Sequence, residues 1–279
     1  AIGTHYRFSR LAIENGSHVF LEKPVCGTIQ EANDLVRRAE AAGKEICIGF
    51  QDLYSCQVQE IRKRILGGEF GRVLRVRAWG SWPRPKNYYT RNGWAGGLRD
   101  AEGWVLDSPV NNAMSHFLML MLDWAGSEEE GFLQPDSLEA DLYRVQDIES
   151  FDTASLRLKA ESGPSVLYTV SHSGEETVQP VICLEAESGT IRWSHCGTIE
   201  IEGPKGRESF PCTDLSQIRE RMIESVHSRI TGGDAEVVPV RQAMLHTRIV
   251  NGLHQSCPIE DIPPRSEERR VGKECATGC

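Results

Sequence analysis

The sequence predicts a doubly wound α/β segment followed by an α+β domain with a large open, mostly antiparallel sheet flanked by helices. Residues 1–50 alternate helical periodicity with short continuous apolar runs, the pattern of parallel strands buried on both faces. Residues 138–203 are a succession of strand patterns parted by turn signals, and two long amphipathic stretches close the chain. At 279 residues with 39% hydrophobic and 25% charged side chains, the chain is long enough to bury a sizeable core. Its net charge of −9 argues against a nucleic-acid groove, which needs a basic face. The longest apolar stretch, Phe117 to Ala125, falls well short of the ~18 residues of a membrane helix. Nine cysteines occur without a C-x-x-C pair or other metal spacing, so no metal site is expected. Cys26, Cys47 and Cys183 sit in or beside apolar runs as small buried hydrophobes, and free thiols fit a reducing cytoplasm.

Arg7 to Asn15 reads as a short helix closed by Gly16, and Ala1-Ile2-Gly3 before it as the end of a buried strand. His18 to Pro24 is an apolar strand ended by two charges and a proline. Thr28 caps a helix to Ala42, with Ala32, Leu35, Val36 and Ala39 on one face and Gly43 as its stop. Ile46 to Phe50 is a second buried strand. An amphipathic helix from Ser55 to Leu66 ends at Gly67-Gly68, and Val73 to Trp79 alternates apolar residues with Arg75 and Arg77 as a strand with one wet face. A long loop, Ser81 to Leu106, precedes a helix opened by Ser108-Pro109 and running to about Trp124. Strands are expected at 138–145, 153–159, 165–172, 181–187, 191–194 and 198–202, and helices at 215–231 and 241–255. Both ends read as abrupt. The run from about Arg265 resembles a translated sequencing adapter, so residues 263–279 are expected to be a non-native tail and Ala1 to follow a missing upstream part.

Three segments carry chemistry. Glu22-Lys23-Pro24 stands at the carboxyl end of a parallel strand, the end that faces the ligand crevice in open α/β sheets. A lysine there can hold an anion, polarise a hydroxyl or, desolvated, move a proton. In Asp107-Ser-Pro-Val-Asn-Asn-Ala-Met-Ser-His116, the imidazole of His116 titrates near working pH and suits proton transfer. The loop from Ser81 to Trp94 gathers Trp82, Arg84, Tyr88, Arg91, Asn92 and Trp94, aromatic faces and planar polar groups that suit a sugar. Arg84 and Arg91 could equally clamp a carboxylate or phosphate, and the same composition suits a docking loop. Glu149 to Ser155 and His172 could line the same cleft from the sheet, or serve the sheet alone.

His5, the Gly16-Ser-His-Val run and Glu22-Lys23-Pro24, with His5 seventeen residues before Glu22, resemble the Gfo/Idh/MocA family of NAD(P)-dependent oxidoreductases. The resemblance extends through Gly67-Gly-Glu-Phe-Gly71 and the helix bearing His116 to about Ile262. It implies residues 1–51 as the last part of a Rossmann dinucleotide-binding domain, and 52–262 as a substrate and oligomerisation domain. It implies NAD or NADP held by His5, Glu22, Lys23, Pro24 and Gln51, with the glycine-rich phosphate loop upstream of Ala1. Lys23 and His116 become the candidate catalytic pair, and Asn111 joins the substrate-binding set. The family places an Asp four residues before the helical His. Here that position is Asn112, so the partner is left open between Asn112 and Asp107. The implied activity is hydride transfer between NAD(P) and a secondary alcohol of a sugar, inositol or related polyol, in a cytoplasmic homo-oligomer joined through the sheet. Alternatives are an NAD-dependent glycosidase of the same family and a non-catalytic sugar or nucleotide sensor.

Overall fold

The computed structural model describes residues 2–127, 131–161 and 163–263, so most of the expected tail lies outside the described residues. Its first element is a helix, α1, Ile2–Glu14. The expected strand at Ala1-Ile2-Gly3 is therefore corrected. Ile2 is buried with Ser9 and Ile13, a helical stripe that three residues alone are too few to reveal. Strand β1 (Val19–Leu21) and strand β2 (Ile46–Ile48) pair in parallel, Val19 opposite Ile46 and Leu21 opposite Ile48. Between them runs α2, Ile29–Ala42. Thr28 and Glu31 close a reciprocal capping box at its start, and Gly43 ends it in the left-handed region at φ 61°. Tyr6 Oη donates to Asp34 Oδ2 at 2.9 Å, tying α1 to α2.

After a single 3₁₀ turn, Gln51–Tyr54, come α3 (Cys56–Leu66), β3 (Val73–Ser81) and a short helix α4 (Lys86–Tyr89) inside the long loop. Helix α5 spans Ser115–Ala125. It starts six residues later than a helix with Pro109 in its first position, because the carbonyls of the intervening turns serve other donors. Val110 O meets His246 Nε2 at 3.0 Å, and Tyr168 Oη donates to Met114 O at 2.5 Å. Lys23 Nζ and Ser115 Oγ both reach Asn112 O. The Met114 amide bonds back to Pro109 O, one residue beyond a regular α-turn.

Strands β4 (Ser137–Arg144), β5 (Thr153–Lys159), β6 (Ser165–Ser171), β7 (Val178–Ala186), β8 (Gly189–Ser194) and β9 (Thr198–Gly203) fall where the sequence places them, within a few residues. Two further strands had no strong pattern, β10 (Gly206–Pro211) and β11 (Ile259–Asp261). Together they form one nine-stranded sheet in the order β10-β9-β8-β7-β3-β6-β5-β4-β11. It is antiparallel except for the β3–β6 and β4–β11 pairs. Its inner face buries Val76, Tyr168 and Ile182 from the strands that contact α5, with Leu156 and Ile191 buried beside them. The outer face carries partly or fully exposed ion pairs such as Arg75–Glu185 and Arg157–Glu139, worth about 0–1 kcal/mol each at most exposed sites. Helices α6 (Leu215–Ile230) and α7 (Val240–Ser256) follow. Helix α7 packs back on α2, where Asn251 Oδ1 accepts from the Ile29 amide at 2.9 Å and its Nδ2 donates to Gly27 O at 3.0 Å. No helix among the described residues is long and apolar enough to cross a membrane.

Candidate functional site

The site begins where β1 ends. Leu21 is buried in the sheet, and the chain leaves it through exposed Glu22, half-buried Lys23 and buried Pro24. His5 on α1 donates from Nδ1 to Pro24 O at 2.8 Å, which holds this exit in place. The ammonium of Lys23 donates to the carbonyl of Asn112, four residues ahead of His116. The carboxyl end of β1 and the approach to α5 are thus joined by one charged hydrogen bond. Burial pushes Lys23 down to about 8, with Glu22 and Asp107 partly offsetting the effect.

His116 stands with its ring edge-on to Phe50, centroids 5.9 Å apart, and its Nδ1 is buried without a hydrogen-bond partner. Burial first, and then the charge of Lys23, hold this imidazole well below its ordinary value. It is therefore a neutral ring beside an ammonium group. The two candidate partners, Asp107 and Asn112, are engaged with each other, Asn112 Nδ2 donating to Asp107 Oδ1 at 2.9 Å, while the Gly96 amide donates to Asp107 Oδ2 at 2.7 Å. Asp107 is raised by burial, and those two donors pull it back. Asp107 shapes the turn that offers the Asn112 carbonyl to Lys23.

Asn111, buried in the same turn, donates from Nδ2 to Val105 O at 2.8 Å and Leu106 O at 3.1 Å. Its amide nitrogen is committed to the backbone and cannot also serve a substrate. Gln51 accepts from Arg219 Nε at 3.1 Å, a link between the 3₁₀ turn after β2 and α6. Asn92 Oδ1 accepts from the amides of Trp94 and Ala95 and closes a local turn. Trp82 packs edge-on against Phe117 and His195, with centroids 5.6 and 5.4 Å away, and donates from Nε1 to Gln179 Oε1 at 3.1 Å. Arg84 and Arg91 lie over Tyr88, their guanidinium carbons 4.8 and 3.7 Å from the ring centroid, and Arg91 is 5.5 Å from Trp94. Burial raises Tyr88, and the nearby Asp107 charge adds to it.

The sheet residues have structural work. His172 Nδ1 donates to Trp82 O at 2.9 Å, and the Arg84 amide donates to His172 O at 2.8 Å, fixing the start of the loop. Glu149 accepts from the Leu98 amide, and Asp152 from the Val145 and Gln146 amides. Two imidazoles escaped the sequence reading. His195, on the turn after β8, and His246, fully buried on α7, both add to the field at His116. His246 lies 5.6 Å from the Phe50 ring, and burial takes it down to about 4. A histidine on an apolar helix face gives no local signal, and only the return of α7 onto the first segment brings it in. Two open clefts, one lined by Arg62, Asp123 and Gln242 and another by Lys86, Tyr89 and Arg144, include neither Lys23 nor His116.

Residues 2–50 match the model of the GFO_IDH_MocA oxidoreductase family, NAD-binding Rossmann fold. The match covers the first segment of the chain only. Part of the chain is similar to curated proteins: 29% identical over 69 residues to D-glucoside 3-dehydrogenase of Escherichia coli, covering 25% of this chain and 20% of that protein. A Phocaeicola vulgatus glycosyl hydrolase family 109 protein is 30% identical over 103 residues, covering 37% of this chain and 20% of its own length. The matched part is thus about a fifth of these relatives. Among solved structures, WlbA dehydrogenase of Bordetella pertussis, in complex with NADH and UDP-GlcNAcA, superposes with TM-score 0.73 at 21% identity, covering 91% of this chain and 74% of that one. An inositol dehydrogenase homolog of Azotobacter vinelandii, complexed with NADH and myo-inositol, gives 0.70 at 16%, covering 90% and 72%. At such identities the likeness shows the fold: a Rossmann-like segment followed by a large mixed sheet with helices.

Proposed function

We propose that the whole protein transfers a hydride between NAD(P) and a secondary alcohol of a sugar, inositol or related polyol. Residues 1–51 serve the cofactor side and 52–262 the substrate side. The observation that carries this reading is the junction itself: a lysine at the carboxyl end of a parallel strand, hydrogen-bonded to the turn that leads into the helix bearing a neutral imidazole. The residues present fit the nicotinamide end of a dinucleotide, with Glu22, Lys23 and Pro24 at the crevice edge and His5 bracing them. A nicotinamide ring, when bound, supplies the hydride acceptor or donor.

This chain's own groups handle the proton and the charge. His116, kept neutral by burial and with Nδ1 unpartnered, takes the hydroxyl proton during oxidation. Lys23, protonated below about 8, sets positive charge beside the developing alkoxide. Lys23→Met is expected to lower turnover ~10²–10⁴-fold in an NAD(P)H-absorbance screen over sugars and inositols, with an unchanged circular-dichroism spectrum. Near-normal rates would remove Lys23 from this role.

A second reading, glycoside cleavage through transient oxidation of the ring, is favoured by the match to the family 109 protein. Release of the aglycone with no net NADH would select it over the dehydrogenase.

A further inference from the structure

Among the described residues, Arg84 and Arg91 are cations without an ion-paired carboxylate. Both guanidinium groups lie over one ring, Tyr88, and neither forms an ion pair with any described residue, although arginines elsewhere in the chain commonly do. Arg84 Nε is also buried with no hydrogen-bond partner. Stacking holds the planes of these groups but leaves N–H edges to find acceptors elsewhere. A carboxylate near enough to feel Arg91 is Asp107, and its two oxygens already serve the Gly96 amide and Asn112 Nδ2. Its field is shared with Lys23, which it also affects.

The loop is braced rather than slack around these groups. Pro83 and Pro85 flank Arg84 and fix φ on either side. The Arg84 amide bonds to His172 O at 2.8 Å, and the His172 ring bonds to Trp82 O. Bringing Lys23 and Arg91 to one committed carboxylate, with Arg84 stacked on the same Tyr88 ring as Arg91, is unfavourable in a free protein and becomes favourable when an anion joins them. Guanidinium groups match carboxylate and phosphate oxygens in a bidentate way that a neutral hydroxyl does not reproduce.

We propose that Arg84 and Arg91, stacked on Tyr88, form an anion subsite that holds the carboxylate or phosphate of an acidic sugar. The inference rests on the sugar oxidoreductase reading and narrows its substrate class from neutral sugars to sugar acids or sugar phosphates.

The test is isothermal titration of the full chain at fixed ionic strength, with and without NAD. The probes are glucose, galactose and mannose, each beside its uronate and its 6-phosphate. At least one anionic sugar should bind ~10–100-fold tighter than its neutral parent, the scale of a charge-assisted hydrogen-bond pair. Preference for the uronate or for the phosphate tells the two sources apart. Arg91→Gln, at an exposed side chain, should erase the preference for the anionic sugar over its neutral parent. Arg84→Gln should act in the same direction. Equal binding of neutral and anionic sugars, a preference that survives Arg91→Gln, or no binding by any probe overturns the subsite. Anion-selective binding by this chain, with no cofactor reduction by the whole protein over the same pairs, would instead sink the dehydrogenase reading and leave the subsite standing.

Discussion

In residues 19–50 the two ends of α2 are capped by near neighbours, although Asn251 also reaches Gly27 and Ile29. Thr28 and Glu31 cap one end within three positions, and Gly43 closes the other by bonding to Ala39 and Glu40 carbonyls. In residues 81–114 the partners come from far away. The Met114 carbonyl is met by Tyr168, 54 positions on, the Asn112 carbonyl by Lys23, 89 back, and the Val110 carbonyl by His246, 136 on. The first region therefore presents Lys23 from a locally specified frame. The second receives it on a turn that exists only when the sheet, α5 and α7 have come together. Damage to the local frame should reduce stability and leave chemistry alone, whereas damage to the distant partners should reach the site.

Tyr168→Phe is the sharper way to break this contrast. The hydroxyl is fully buried, and its loss leaves the Met114 carbonyl without that donor, at a cost of roughly 1–3 kcal/mol. Denaturant unfolding should report that loss, and the variant should also lose turnover, because the turn before His116 is loosened. Thr28→Ala should cost less, about 1 kcal/mol for a lost cap, with kcat and KM unchanged. If the cap variant altered KM as much as the sheet variant, the two regions would not differ in the way described.

The same contrast explains what the sequence revealed. Helix α2 was legible with both its ends, because its signals are local: a capping box, an apolar stripe and a glycine in the left-handed region. The alternating strands β4 to β9 were legible for the same reason. The start of α5 was not, since Pro109 and Ser108 are good opening residues, and only tertiary donors show why the regular ladder waits until Ser115. Lys23 and His116 could be singled out by residue type and position. The pairing of Asp107 with Asn112, and the convergence of His195 and His246 on His116, depend on contacts that no sequence spacing encodes. Strand β11 hid for a related reason: it is three residues long and pairs with β4 from the opposite end of the sheet domain.

The central claim is that the Lys23 ammonium is drawn out of water against the Asn112 carbonyl beside a neutral imidazole. A lysine whose value falls from 10.5 to about 8 on folding makes stability rise with pH between those limits. In that window the folded chain has released a proton that the unfolded chain still holds. Below about 8 both forms are protonated and the burial penalty is fully present. Titration of the Lys23 side-chain nitrogen by ¹⁵N NMR, assigned with Lys23→Met, measures this most directly. A midpoint close to 8 is expected, and a midpoint at the ordinary lysine value of 10.5 would contradict the account.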